Sequence, residues 1–368
     1  MKGLMKQPAK RSIKQKPRET RDRLARLIKA FAGKRLVVLG DWMLDRYVWG
    51  TAARLSPEAA VPVVDFTKQS GCLGGAGNVA ANLVALGARV FPFGITGDDE
   101  PAGELRACVR AGHMGDKGLL VDASRPTTLK TRIIARNQQV VRVDRESRAP
   151  LNPEIASQLV ARILVALRDA DLLVISDYDK GVVNDEVSGR VLNACQRLNV
   201  PVFVKPKWSR LPVYRGASAI VCNRAEAGFL VTRNLETQED IEEAGRALLA
   251  HFGCPTVIIT RGERGLSVIE QDQRDGFHIA ATSQERESGL AETRQSGPGR
   301  QVFDVTGAGD TVLATLALAV AAGATVREGV VLGNAAAGVV VSKLGTATLT
   351  PRELLEAIRE MPGTTAHG

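Results

Sequence analysis

The sequence has 368 residues, of which 44% are hydrophobic and 24% charged, so the chain can fill a core and is too apolar to be disordered. The net charge of +9 is local: residues 1–35 hold 13 Lys or Arg and two acids, so the other 333 residues carry a net charge of −2. The basic composition therefore does not predict a nucleic-acid surface, and no apolar run is long enough to predict a membrane span.

The N-terminal segment, residues 1–34, is basic and is predicted to be a flexible extension with one short helix near Arg21–Ala32. A folded domain is predicted over residues 35–361. Within it, residues 283–300 are polar with scattered Gly and Ser, which is typical of a flexible insert. The five cysteines form no Cys-x-x-Cys pair, so free thiols in a cytoplasmic protein are expected.

Strand-like and helix-like runs alternate through most of the domain, which predicts an α/β fold with a mostly parallel sheet flanked by helices. The predicted strands are Arg35–Leu39, Arg89–Phe93, Asp171–Ile175, Pro201–Lys205, Ala219–Cys222, Thr256–Thr260 and Leu266–Glu270. The predicted helices are Ala76–Leu86, Glu104–Ala111, Pro153–Leu167, Asp185–Leu198, Gly309–Ala322, Val326–Ser342 and Pro351–Arg359.

Two β-rich segments, about residues 61–68 and 127–144, break this alternation because neither contains a helix-like run. They are predicted to form a small separate sheet that acts as a lid or dimerisation flap. The pattern is equally compatible with an antiparallel extension of the main sheet.

The run Gly307-Ala308-Gly309-Asp310 directly precedes a long apolar helix. Glycines let the backbone approach a ligand closely, and the first amides of a helix favour an anion such as phosphate. A carboxylate at such a site suits a base that accepts a hydroxyl proton during phosphoryl transfer. From these residues alone, the alternative that Asp310 only caps the helix is equally good.

A second glycine-rich run, Gly71–Asn78, also opens a helix. Gly75-x-Gly77-x-x-Ala80 matches a dinucleotide-binding fingerprint, which makes a nicotinamide-dependent enzyme an alternative. The second half of that fingerprint fits poorly, because the next predicted strand is followed by glycine rather than by an acid. The same glycine amides and Asn78 suit hydrogen bonds to sugar hydroxyls.

Charged and polar residues gather on the second β-rich segment: Lys130, Arg132, Gln138, Arg142 and Asp144. Alternation places Lys130 and Arg132 on one face of a strand, where they could hold a substrate phosphate. A solvated edge strand explains the same charges.

Asn223 and Glu226 follow a predicted strand at a spacing that puts both on one helical face. They could order water around Mg²⁺. Taken alone, the pair is better explained as a capping box at a helix start.

Together these motifs resemble the ribokinase-like (PfkB) family of carbohydrate kinases, which carry a glycine-rich sugar motif and a C-terminal glycine-aspartate signature. Further runs are similar to those of family members that phosphorylate D-glycero-D-manno-heptose 7-phosphate at O1. These runs are Gly40–Tyr47, Leu55–Ala59, Arg125–Arg132, Ala135–Gln139, Ser176–Gly181 and Asn334–Val341. The resemblance implies a ribokinase-like fold with a small β-sheet lid.

The resemblance also implies roles for the candidate residues. Asp310 is expected to be the general base, with the amides of Gly307, Ala308 and Gly309 forming an anion hole. Sugar contacts are expected from Asp45, Gly74, Gly75, Asn78, Lys130, Arg132, Gln138, Arg142 and Asp144. Contacts to Mg²⁺–ATP are expected from Lys207, Asn223, Glu226, Thr260, Gly262 and Asn334, with Glu226 placing the metal.

By the same resemblance, the product is heptose 1,7-bisphosphate, a precursor of ADP-heptose and lipopolysaccharide core. A homodimer through the lid and a stand-alone kinase without a second nucleotidyl-transferring domain are expected. Alternatives are a kinase for ribose, fructose or a fructose phosphate, and a sugar or nucleotide sensor without catalysis. Two departures are Lys205, where relatives usually carry Asp, and Asp179, where they usually carry Gly.

Overall fold

The computed structural model describes residues 17–136, 138–207, 213–282, 305–343 and 346–361. Its strands are β1 Arg35–Gly40, β2 Trp42–Leu55, β3 Pro62–Gly75, β4 Arg89–Thr96, β5 Leu119–Val121, β6 Thr128–Ala135, β7 Gln138–Arg145, β8 Leu172–Ser176, β9 Val202–Lys205, β10 Ala219–Asn223, β11 Thr256–Thr260, β12 Leu266–Glu270 and β13 Phe277–Ile279. Its helices are α1 Pro17–Lys29, α2 Ala76–Ala85, α3 Glu100–Ala111, α4 Pro153–Leu167, α5 Asp185–Leu198, α6 Arg224–Leu230, α7 Gln238–Phe252, α8 Ala308–Ala321, α9 Val326–Val340 and α10 Pro351–Glu360.

The main sheet, within the described ranges, has the strand order β13-β12-β11-β10-β9-β8-β1-β4-β5. Its strands pair in parallel from β11 across to β5, whereas β12 and β13 join the other edge in antiparallel fashion. The central strands are buried along almost their whole length, which explains their continuous apolar sequences. The predicted α/β architecture is therefore confirmed.

Helices cover both faces of this sheet. The apolar sides of α2, α8, α9 and α10 pack on one face, and those of α4, α5 and α7 pack on the other. Helix α8 is buried from Asp310 to Ala319, so the helix that begins at the glycine run lies in the core of the domain. Its first turn is consequently held rigidly at the edge of the sheet.

A separate four-stranded sheet, which we call the lid, has the order β3-β2-β6-β7. Strand β2 pairs antiparallel with β3 and parallel with β6, and β7 pairs antiparallel with β6. The predicted small second sheet is confirmed, and the alternative of an extension of the main sheet is wrong. The sequence did not predict β2, and the glycine-rich run before α2 forms the end of β3, which the sequence analysis did not predict.

The described part of the predicted N-terminal extension contains the predicted short helix, as α1, but this helix packs against the domain instead of being flexible. Helix α1 buries Leu24, Leu27 and Ile28, an apolar stripe at the i, i+3, i+4 spacing of one helical face. Arg23 on the same helix forms an ion pair of 3.1 Å with Glu328 of α9. Residues 1–16 and the predicted insert, residues 283–300, lie outside the described residues.

Candidate active site

The candidate site lies where the parallel strands of the main sheet end. Asp41 follows β1, Asp177 follows β8, Lys205 ends β9 and Asn223 ends β10. The carboxyl ends of parallel strands open into the crevice in which ligands of α/β proteins bind. Helix α8 brings Asp310 to the same edge, where it contacts a side chain of α2 and one from the segment after β8.

Asp310 is the third residue of α8 and only 5% of its surface is exposed. Its Oδ2 accepts a hydrogen bond of 2.9 Å from Nδ2 of Asn78. Its Oδ1 accepts 2.8 Å from the Tyr178 hydroxyl and 2.6 Å from Nζ of Lys205. The carboxylate is therefore turned away from its own helix and toward the neighbouring elements.

The alternative that Asp310 caps α8 is wrong. The N-cap is Gly307, which makes no side-chain cap and has φ 85°, a left-handed conformation that suits glycine. A Cβ atom at Gly307 would lie 2.7 Å from Nδ2 of Asn78, so glycine also makes room for the asparagine. The amides of Ala308 and Asp310 donate to the carbonyls of Val305 and Gly307, so an anion there would share or replace these bonds.

Lys205 and Tyr178 complete the polar cluster around Asp310, and neither was among the predicted site residues. Lys205 donates 2.9 Å to the Tyr178 hydroxyl as well as binding the carboxylate. Burial alone would lower the pKa of Lys205, but the Asp310 carboxylate and Tyr178 outweigh it and raise that pKa. Burial raises the pKa of Tyr178, and the Asp310 charge adds to the rise. The lysine is therefore charged and the tyrosine is protonated at neutral pH.

Asn78 is held in place by a second layer of polar side chains. Nδ2 of Asn82 donates 2.9 Å to the Asn78 carbonyl, and the Thr311 hydroxyl donates 3.0 Å to Oδ1 of Asn82. All three residues are buried. Helix α2 and helix α8 are thus joined by a hydrogen-bonded chain that orients Asn78 toward Asp310.

The glycines that precede α2 allow close approach between two lid strands and to the segment that follows β1. A Cβ atom at Gly74 would lie 2.6 Å from Oδ2 of Asp45, and one at Gly75 would lie 2.5 Å from the Asp41 carbonyl. Because the run ends an antiparallel lid strand, it lacks the strand–turn–helix context of a dinucleotide fingerprint. The nicotinamide-enzyme alternative therefore loses its structural basis.

Asp45 and Arg132 form a largely buried ion pair on neighbouring lid strands, with 2.8 Å between Oδ1 and Nη1. Burial raises the pKa of Asp45 even though the Arg132 guanidinium opposes that rise. The guanidinium also lies 5.4 Å from the ring centroid of Tyr47. The two predicted sugar-binding residues are thus brought together and oriented by each other.

The remaining predicted sugar contacts are on or beside the lid edge. Lys130 pairs with Asp144 at 3.0 Å, and Arg142 pairs with the same carboxylate at 2.9 Å. Gln138 and Arg142 lie on β7, every residue of which is exposed. Lys130 also lies 3.4 Å from Glu146, a residue that the sequence analysis missed. The cations of this group are therefore paired with carboxylates in the structure.

A cleft of about 810 Å³ lies beside the cluster. Five of the predicted nucleotide-binding residues line it, and they are Asn223, Glu226, Thr260, Gly262 and Asn334. Ala308, Gly309 and Lys205 line its inner end. Lys207 is not among the lining residues, and its backbone amide donates 3.2 Å to the Tyr214 hydroxyl. The cleft is large enough for a nucleotide.

Asn223 and Glu226 form the capping box of α6, since each side chain accepts a hydrogen bond of 2.8 Å from the other residue's amide. Within the described ranges, no group of three or more His, Cys, Asp or Glu side chains could hold a metal ion. The cleft wall carries two acidic residues, Glu226 and Glu263, and Mg²⁺ is usually held by one or two carboxylates together with water and substrate phosphates. Glu226 is such a carboxylate.

A buried carboxyl pair beneath the site was also missed. Asp41 accepts backbone hydrogen bonds from Tyr178 at 2.7 Å and Lys180 at 3.1 Å. Asp177 accepts a hydrogen bond from the Tyr214 hydroxyl. Burial, with the charge of Asp177, raises the pKa of Asp41 to about 7. The signal in the sequence was that each Asp directly follows a buried parallel strand.

Residues 34–353 match the model of the pfkB family carbohydrate kinases. The chain belongs to this family. It is 41% identical over 324 residues to "Bifunctional protein HldE" of Geotalea uraniireducens, covering 88% of this chain and 63% of the relative. It is 43% identical over 335 residues to the protein of the same name from Caulobacter vibrioides, covering 90% of this chain and 65% of the relative. This pfkB-family chain thus spans just under two thirds of the curated relatives' length.

Solved structures confirm that this pfkB-family chain has a ribokinase-like fold. Arabidopsis thaliana ribokinase, complexed with ribose and ATP, superposes with a TM-score of 0.68 at 19% identity, covering 90% of this chain and 100% of that one. Escherichia coli phosphofructokinase-2, in complex with substrates and products, superposes with a TM-score of 0.69 at 17% identity. The match covers 89% of this chain and 99% of that one. None of the helices in the described ranges is long and apolar enough to cross a membrane.

Proposed function

We propose that this chain transfers the γ-phosphoryl group of ATP to O1 of D-glycero-D-manno-heptose 7-phosphate, giving heptose 1,7-bisphosphate and ADP. The observation that carries this proposal is the position of Asp310. Its carboxylate contacts Asn78, at the start of the helix that follows the lid, and Lys205, which lines the cleft. A base at this point lies between a sugar on one side and a nucleotide on the other.

The proposed step follows from the hydrogen bonds of Asp310. Oδ1 already accepts two donors, whereas Oδ2 accepts only the Asn78 amide among the bonds of the described residues. Oδ2 is therefore the atom that takes the proton of the O1 hydroxyl. The O1 oxygen bonds to the γ-phosphorus, and the bond to the β,γ-bridging oxygen breaks with its electron pair on ADP.

The lid supplies the proposed sugar contacts. Asp45 can accept hydrogen bonds from sugar hydroxyls, while Arg132 and Lys130 offer cations for a phosphate. Each of these cations is paired with a carboxylate, at 2.8 Å to Asp45 and 3.0 Å to Asp144. A phosphate ligand would therefore displace or share the Asp144 and Glu146 partners of Lys130. Gln138 and Arg142 can reach such a ligand only from the exposed edge strand.

The choice of a heptose phosphate rests on sequence similarity. The chain is 39–43% identical to three of the bifunctional HldE proteins over 88–94% of its length. It also carries the runs at Gly40–Tyr47 and Arg125–Arg132 that resemble heptose-phosphate kinases. The lipopolysaccharide-precursor product remains a prediction from that resemblance.

ATP and Mg²⁺ complete the proposal. Glu226, on the cleft wall, would hold Mg²⁺ together with water and the nucleotide phosphates. The metal would neutralise charge on the transferred group. All five cysteines are free thiols, and we place the reaction in the cytoplasm, where ATP is the common phosphoryl donor.

We also propose a homodimer that forms through the lid. Strand β7, at one edge of the lid, exposes Val140, Val141 and Val143. An exposed apolar edge strand is a surface that another chain covers in many proteins. A second lid placed there would remove these side chains from water.

An ADP-formation assay with a panel of sugars tests the proposed function. The panel contains D-glycero-D-manno-heptose 7-phosphate, ribose, fructose and fructose 6-phosphate, each with Mg²⁺–ATP. We expect kcat/KM for the heptose phosphate to exceed that for ribose and for fructose by at least about 100-fold, because the lid cations bind its phosphate, and also to exceed that for fructose 6-phosphate. Turnover with only one of the other sugars would reject the heptose assignment but keep a sugar kinase.

A further inference from the structure

Lys205 occupies the junction between the base and the cleft. It is the last residue of β9, and Nζ lies 2.6 Å from Oδ1 of Asp310 and 2.9 Å from the Tyr178 hydroxyl. It also lies 4.9 Å from the centroid of the Tyr178 ring. The other side of the lysine lines the cleft, and 19% of its side chain is exposed there.

The Lys205 ammonium has more hydrogen-bond donors than it has partners among the bonds of the described residues. A lysine ammonium has three N–H donors, and Asp310 and Tyr178 take two of them. Among the bonds of the described residues, one donor is left for a further acceptor, and the cleft is the direction from which such an acceptor can arrive. A group bound there beside Gly309 would lie within reach of both the helix start and the ammonium.

The positive charge on Lys205 changes its electrostatic partner during phosphoryl transfer. Before the reaction, the Asp310 carboxylate balances the ammonium. When Oδ2 takes the hydroxyl proton, that carboxylate becomes neutral, and the ammonium loses its anionic partner. At the same moment negative charge is spread over the oxygens of the transferred phosphoryl group. A cation that is already in place stabilises that charge without reorganisation.

We propose that Lys205 is a catalytic residue whose ammonium pairs with Asp310 in the free enzyme and donates to an oxygen of the transferred phosphoryl group during the reaction. This inference rests on the proposed kinase function. Lys205 keeps its proton throughout, so the O1 proton moves to Asp310 and the leaving electron pair moves to ADP. Because the transferred group is charged in the same way for every sugar, the role does not depend on which sugar is bound.

Three variants test the proposal: Lys205→Met, Lys205→Arg and Lys205→Ala. We expect Lys205→Met to lower kcat by about 100-fold, as for the loss of one preorganised donor at a transition state, with the Kd for ATP changed less than about threefold. Lys205→Arg keeps the charge and is expected to retain more activity than Lys205→Met. Lys117→Met, at an exposed lysine after α3, is the matched control with wild-type kcat.

Chemical rescue separates a catalytic ammonium from a structural one. Ethylammonium added to Lys205→Ala is expected to raise kcat at least about tenfold, since it returns a cation to the space left by the side chain. Ethanol and sodium chloride at equal concentration are the controls. Weaker ATP binding combined with a loss that ethylammonium does not restore would assign Lys205 a structural role and overturn the proposal.

The remaining outcomes distinguish this inference from the proposed function. If the wild type forms ADP and Lys205→Met is equally or more active, only the inference on Lys205 fails. If the wild type forms no ADP with any sugar of the panel, the proposed function fails and the assignment of Lys205 fails with it. Circular dichroism and thermal unfolding check that each variant is folded. If Lys205→Met does not fold, the activity of Lys205→Arg still tests the proposal.

Discussion

At the scale of single residues, the candidate site depends on how one carboxylate is surrounded. The sequence left Asp310 balanced between a helix cap and a base, because both need an acid at a helix start. The structure rules out the capping role, since Gly307 is the N-cap residue and Asp310 is hydrogen-bonded to Asn78, Tyr178 and Lys205. Tyr178 and Lys205 could not be predicted as partners, because they come from two different strand ends far from Asp310 in sequence.

The Asp310→Asn variant tests the role of this carboxylate. We expect kcat to fall by on the order of 100-fold or more, because an amide cannot accept the hydroxyl proton. ATP binding measured by calorimetry should remain. Asp98→Asn, at an exposed aspartate that follows β4, is the matched control and should keep wild-type kcat. Near-normal turnover of Asp310→Asn would remove it from the mechanism.

Asp179 shows how a departure from the usual glycine is accommodated. Its φ is 60°, a left-handed conformation that glycine adopts freely and that aspartate tolerates better than most residues. Its amide donates 2.7 Å to Oδ1 of Asp177. The backbone therefore keeps the turn that the site needs, although the side chain has changed.

At the scale of secondary-structure elements, the main sheet was predictable and the lid only partly so. Buried parallel strands give continuous apolar runs, so β1, β8, β9 and β11 were found within one or two residues. Strand β2 was missed because its sequence is mixed and its second half is half-buried or exposed. Its position is fixed by pairing with β3 and β6, which a local pattern does not encode.

The ends of β1 and β8 carry the buried pair Asp41 and Asp177, whose protonation links stability to pH. The pKa of Asp41 is raised from 3.8 to about 7 by burial and by the charge of Asp177. The folded state therefore holds a proton that the unfolded chain loses between these values. The stabilisation is full below pH 3.8 and is lost as pH rises through about 7.

The Asp41→Asn variant cannot lose this proton. Between pH 5 and 8, we expect the free energy of unfolding of the wild type to fall relative to that of the variant by on the order of 2 kcal/mol. Denaturant titrations across this range measure the difference. Asp272→Asn, in an exposed turn, is the control, and its free energy of unfolding should change with pH in parallel with that of the wild type. If the free energy of unfolding of Asp41→Asn also changes with pH in parallel with that of the wild type, the raised pKa of Asp41 is contradicted.

At the scale of the whole molecule, a rigid α/β body carries a lid with one fully exposed edge strand. The body extends further toward the N-terminus than composition suggested, because the apolar stripe of α1 is buried although its other faces are basic. The charge of that segment concealed its packing. The separate sheet was predictable from two helix-free β segments, whereas its exposed apolar edge was not.

A homodimer through the lid predicts a specific response to charge on β7. Val143→Lys should weaken the dimer at least about tenfold, since a buried cation without a partner is costly. Sedimentation velocity over a range of concentrations measures this. Val165→Lys, at a valine on α4 that is 64% exposed, is the matched control and should not change the association. A wild type that stays monomeric at every concentration would disprove the dimer.

The proposed reaction is the transfer of the γ-phosphoryl group of ATP to O1 of a heptose 7-phosphate. Phosphorus NMR of the products formed by the wild-type protein from that sugar and Mg²⁺–ATP tests it most directly. We predict ADP and a sugar with two phosphate monoester signals, one of them coupled to the anomeric proton. A sugar that keeps a single phosphate, or a second phosphate on any other oxygen, would contradict the claim.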